Sequence, residues 1–81
     1  MRYRNALRSV IADAIRASMS HKEAAVHIAA RAKTEVPEVD RQRFVEAAET
    51  ELLSLHEGNF ARYGVRPSEF NAWQVTWKKR S

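Results

Sequence analysis

The chain has 81 residues, a formal net charge of +4, no cysteine and only two glycines and two prolines. That describes one small helical domain with neither disulfides nor thiolate metal ligands, and a core so small gains from a second copy, so a homodimer is expected. No apolar run approaches the roughly 20 residues of a membrane span, and the MRYRNALR opening lacks a signal peptide's continuous hydrophobic segment; the expected compartment is the cytoplasm.

In chain order, Leu7, Val10, Ile11, Ala14, Ile15 and Ser18 recur at 3–4 residue spacing and predict a first helix over 3–19, with Met19 extending the stripe. Arg4 and Arg8 sit one turn apart along an edge of that stripe, whereas Arg16 is expected to point away from it. Ser20-His21-Lys22-Glu23 reads as a capping box opening a second helix over 21–35, ended by Pro37. Its packing face is expected to be Ala25, Ile28, Ala29, Ala32 and Val36.

Asp40 is the expected N-cap of a third helix over 41–57, with Val39 and Phe44 as a hydrophobic staple. Phe44, Val45, Ala48, Leu52 and Leu55 form its apolar face, and Gly58 fits a left-handed residue beyond its end. The short connection predicts that helices two and three are antiparallel neighbours. A fourth helix follows over 67–79, with Pro67 at its first position and Phe70, Trp73 and Trp77 on one stripe. The fold class is therefore all-α, a small bundle of about four helices.

Charge is segregated along this frame. Residues 1–20 carry Arg2, Arg4, Arg8 and Arg16 against Asp13 alone, and residues 59–81 carry Arg62, Arg66, Lys78, Lys79 and Arg80 against Glu69. The stretch between them is acidic, with a net of −3. Two basic ends around an acidic, alanine-rich middle point to a polyanion partner, for which the phosphate backbone of double-stranded DNA is the leading candidate.

Catalytic chemistry has little support. His21, His27 and His56 lack the spacing that puts two imidazoles on one metal, and no calcium loop, phosphate-cradling glycine loop or nucleophile elbow is present. The expectation is a protein that is not an enzyme and needs no cofactor or metal.

The most specific local pattern runs from Phe60 to Trp73, through Tyr63-Gly64-Val65-Arg66-Pro67-Ser68. It resembles the turn and second helix of a helix-turn-helix DNA-binding module, with Gly64 as the turn glycine and Val65 as the aliphatic plug. The resemblance implies that Phe70 and Trp73 are a buried docking pair. It also implies that Arg66, Ser68, Glu69 and Asn71 lie near the exposed start of a recognition helix.

The expected nucleic-acid surface is therefore Arg2, Arg4, Arg8, Arg62, Arg66, Ser68, Asn71, Lys78, Lys79 and Arg80, in a small regulatory or architectural DNA-binding protein. Leu7, Ile11, Ile15, Trp73 and Trp77 are the expected dimer interface. The alternative is a protein-interaction module, a small adaptor or inhibitor, using the alanine-rich and tryptophan-bearing helix faces.

Overall fold

The computed structural model describes residues 3–79, with only the backbone of Lys79. Its α-helices are α1 (Arg4–Arg16), α2 (His21–Glu35), α3 (Arg41–Ser54) and α4 (Pro67–Lys79), and no strand occurs among the described residues. Single 3-10 turns, Glu38–Asp40 and Phe60–Tyr63, precede α3 and α4. The all-α bundle read from the periodicity is the observed fold.

Helix α1 is the hub: α2, α3 and α4 all pack against it. Val10, Ile11, Ala12, Ala14 and Ile15 are consequently all buried, which is wider than one stripe. Ala24, Ile28 and Ala32 face it from α2, Phe44, Ala48 and Leu52 from α3, and Phe70 and Trp73 from α4. Each large aliphatic or aromatic side chain withdrawn from water here contributes about 1.5–3 kcal/mol before its entropy cost. Ile11, Ile15 and Trp73 were expected to meet a second copy. They are instead consumed by the core of a single chain, with Trp73 only 1% exposed. Leu7 and Trp77 are half-buried.

The helix ends show which local signals won. Helix α1 stops at Arg16, three residues early, because Ser18 adopts a left-handed conformation at φ 50°. The amides of Ser18 and Met19 then donate to the carbonyls of Ile15 and Ala14, closing a Schellman cap on a residue other than glycine. The capping box of α2 is complete: Ser20 Oγ accepts from the Glu23 amide at 3.2 Å, and Glu23 Oε1 accepts from the Ser20 amide at 3.0 Å. Ile28, Ala32 and Val36 of the expected α2 face are buried, but Ala24 completes the line in place of Ala25 and Ala29, which are exposed.

Asp40 stands at the N-cap of α3 but makes no side-chain capping bond, because the preceding 3-10 turn already holds its backbone near helical angles. Val39, 86% exposed, cannot staple Phe44. What fastens α2 to α3 is Arg41. Its Nε donates to the carbonyls of Ala32 and Val36, and its Nη2 donates to that of Lys33, so one guanidinium closes the C-terminus of α2.

Helix α3 ends at Ser54 rather than at 57. The Asn59 side chain replaces the next helical turn, accepting from the His56 amide at 2.8 Å and donating to the Ser54 carbonyl at 3.2 Å. The left-handed glycine is Gly64, φ 71°, and not Gly58. Gly58 is small for another reason: its amide donates to His56 Nδ1, and a Cβ there would lie 2.8 Å from the His56 ring.

Candidate nucleic-acid interface

The segment from Asn59 to Arg66 lies along α1 and brings the start of the second basic stretch against arginines of the first. Arg8 Nη2 donates to the Arg62 carbonyl at 2.6 Å, across 54 residues of sequence. Two turns further along α1, Arg16 Nη2 donates to the Gly64 carbonyl at 3.1 Å, across 48 residues. Between them Ala12, small and buried, lets the segment approach the helix. Arg16 therefore does not point away from the packed surface; it is the residue of this cluster that sequence reasoning left out. Helical spacing puts positions 4, 8, 12 and 16 on one i, i+4 line with a small member at Ala12, but that line does not say what packs against it.

Locally, the segment is a 3-10 turn whose end the Ala61 carbonyl closes by accepting from the Gly64 amide at 3.0 Å. Val65 and Phe70 are buried, and the rings of Phe60 and Phe70 stack with centroids 4.4 Å apart. In place of an α-helix before the turn there is thus one 3-10 turn, and Phe60 lies flat on the helix that follows. Helix α4 starts with the Arg66 amide donating to Glu69 Oε1 at 2.8 Å, a carboxylate at the positive end of the helix.

Among the expected site residues, Arg4, Arg8, Arg62, Arg66, Ser68 and Asn71 are all exposed. Arg62 is partly neutralised, since its Nη1 lies 3.3 Å from Glu51 Oε2 on α3. Glu51 also holds Tyr63, whose pKa is pushed up to about 12, first by burial and then by its hydrogen bond to that carboxylate. Lys78 is not gathered with this group. It lies at the far end of α4, about 18 Å from Arg66 at 1.5 Å per residue. There Trp77 stacks on His21 at 3.7 Å between ring centroids, fixing that end of α4 to the start of α2. Arg2, Arg80 and the Lys79 side chain lie outside the described residues.

Several acids are spent on the scaffold, among them Asp13 of the first basic segment and Glu35 of the acidic middle. Asp13 Oδ2 accepts from His27 Nε2 at 3.2 Å and from Arg31 Nη1 at 2.9 Å, clamping α1 to α2. Arg31 also makes a two-point contact with Glu35, which together with Asp13 raises its pKa above the ordinary value. All three histidines thus have structural partners: Trp77, Asp13 and the Gly58 amide. Among the described residues no group of three His, Cys, Asp or Glu side chains is placed to hold a metal ion, and no helix is long and apolar enough to cross a membrane.

A second surface is apolar. His21, Ala24, Ala25, Ile28, Glu49, Leu52, Leu53 and Trp77 line a groove of about 230 Å³ between α2, α3 and the end of α4. Leu53 is 68% exposed on its rim. The described residues thus form a small helical domain that carries a basic surface and an apolar groove. No family model, curated protein or solved structure matches the chain.

Proposed function

We propose that this protein is a small cytoplasmic DNA-binding domain, regulatory or architectural, that holds the phosphate backbone of a duplex on Arg4, Arg8, Arg16, Arg62 and Arg66. The observation that carries this reading is the pair of hydrogen bonds from Arg8 and Arg16 to the carbonyls of Arg62 and Gly64. They bring arginines of the two basic segments onto one face, where several guanidinium groups meet a polyanion better than scattered ones.

The aromatic residues of this face favour a duplex over a single strand. Phe60 is stacked on Phe70, and Tyr63 is tied to Glu51, so neither ring is presented as a platform for an unpaired base. In keeping with the helix-turn-helix resemblance, base contacts would come from Arg66, Ser68 and Asn71 at the start of α4. A homodimer belongs to the same proposal, since two-fold symmetry would set two such faces on one duplex. Sedimentation at increasing concentration tests it.

The binding test is a titration of labelled duplex at several ionic strengths. Five phosphate contacts, through Arg4, Arg8, Arg16, Arg62 and Arg66, give a log–log slope of about −4.5, hence roughly 500-fold weaker binding between about 50 and 200 mM salt. Arg62→Ala with Arg66→Ala should flatten the slope by about 1.8 while leaving the fold intact. Duplex affinity that ignores ionic strength, or a double variant that binds as wild type does, refutes the proposal.

The apolar groove at Trp77 and Leu53 supports a second reading, a protein-interaction module. It expects capture of a protein partner that survives high salt and is lost in Leu53→Asp, with no duplex shift.

A further inference from the structure

We infer that Arg8 and Arg16 serve the basic face as positioning residues: each guanidinium straps the 60–66 segment to α1 and so presets the surface that meets the duplex. This role rests on the duplex-binding reading and deepens it.

The segment has little of its own to hold it. It contains one 3-10 turn, and its backbone bonds, Arg62 amide to Asn59 carbonyl at 3.4 Å and Gly64 amide to Ala61 carbonyl at 3.0 Å, are local. Arg62 and Gly64 are exposed, so burial does not fix them, although Val65 beside them is buried. Glu51 on α3 ties Arg62 and Tyr63 from one side, and the two arginines of α1, eight residues or about 12 Å apart along the helix, tie the Arg62 and Gly64 carbonyls from the other. These two arginines grip carbonyls two residues apart, at the C-terminal end of its turn. Arg62 projects from the strapped stretch, and Arg66 follows two residues beyond Gly64.

Arginine suits this task better than lysine. A guanidinium carries five N–H donors in a rigid plane, so one can serve a carbonyl while others remain for a phosphate oxygen. A lysine ammonium has the same charge but is a compact, strongly hydrated point, and it loses more order on being held. Charge and positioning therefore separate in Arg→Lys variants.

The experiment compares wild type with Arg8→Lys/Arg16→Lys, using Arg43→Lys, at an exposed position of α3 outside the basic face, as the control. Amide hydrogen exchange without DNA reads the strap directly. The Gly64 and Arg62 amides should exchange about tenfold faster in the double variant and at the wild-type rate in the control. Duplex titration should then show about five- to tenfold weaker binding by the double variant with an unchanged salt slope, because no charge is lost. Unchanged exchange at Gly64 and Arg62 overturns the strap even if duplex binds. Faster exchange with undiminished affinity overturns the positioning role while leaving the duplex reading in place. If wild type fails to bind duplex at low salt, both readings fall together, whatever the exchange rates.

Discussion

Removing Arg41 should cost the protein more than any other single exposed or half-exposed charge. Its side chain donates to three carbonyls at the end of α2, at 3.2, 3.0 and 3.1 Å, two of these bonds being partly shielded from solvent. A charge-assisted bond contributes about 1.5–3 kcal/mol when well shielded and less where water can replace it. The single Nε hydrogen is shared between two carbonyls, so assigning about 1–1.5 kcal/mol to that shielded pair and about 0.5 kcal/mol to the exposed bond gives roughly 1.5–2 kcal/mol. For a chain of this size that lowers the melting temperature by about 8–14 °C. Arg41→Met is the instructive substitution, because it keeps most of the aliphatic stem while removing the donors. Urea unfolding monitored by circular dichroism should show a lower midpoint with an unchanged slope. An Arg41→Met variant within about 0.5 kcal/mol of wild type would mean that water replaces the guanidinium at no cost, and would refute this account of the α2–α3 corner.

The remaining predictions concern other elements. Ser18→Gly should stabilise the protein by about 0.5–1 kcal/mol in the same urea assay, since glycine adopts the left-handed cap of α1 without a Cβ penalty. Ala14→Leu should destabilise it by about 1–3 kcal/mol, because Ala14 is fully buried at the hub and a larger side chain must displace its neighbours. Tyr63 should ionise near pH 12, read as the difference in phenolate absorbance between wild type and Tyr63→Phe. Its folded pKa lies above the ordinary 10, so its contribution to stability is complete below pH 10 and lost as pH rises towards 12.

Where a sequence signal and its physical partner were neighbours in the chain, the structure could be read in advance. The Ser20–Glu23 capping box lies within one turn, and the Phe44–Ala48–Leu52 line needs only helical spacing. Elsewhere a competing local signal won. Asp40 had the right residue type for a cap, but a 3-10 turn fed the chain straight into α3. Val39 had the right offset for a staple, yet that turn leaves it in solvent. Gly58 suggested a left-handed end to α3, but the Asn59 side chain finishes that helix at Ser54, and the left-handed glycine is Gly64, which the resemblance had marked only as a turn residue. At the basic face, exposure of Arg4, Arg8, Arg62 and Arg66 followed from polarity alone. The carbonyl contacts of Arg8 and Arg16 depend on how α1 meets residues 59–66, which no local pattern encodes.

Because α2, α3 and α4 each lean on α1, the first helix made is the last to be fully covered. While the ribosome is still producing α4, the flank of α1 that receives Phe70 and Trp73 stays wet and adhesive. A nascent chain halted near Ser54 would not be a smaller stable bundle but an unfinished one with an open seam. Cooperative closure therefore waits for the tryptophan helix, and trimming that helix should produce aggregation rather than a trimmed domain.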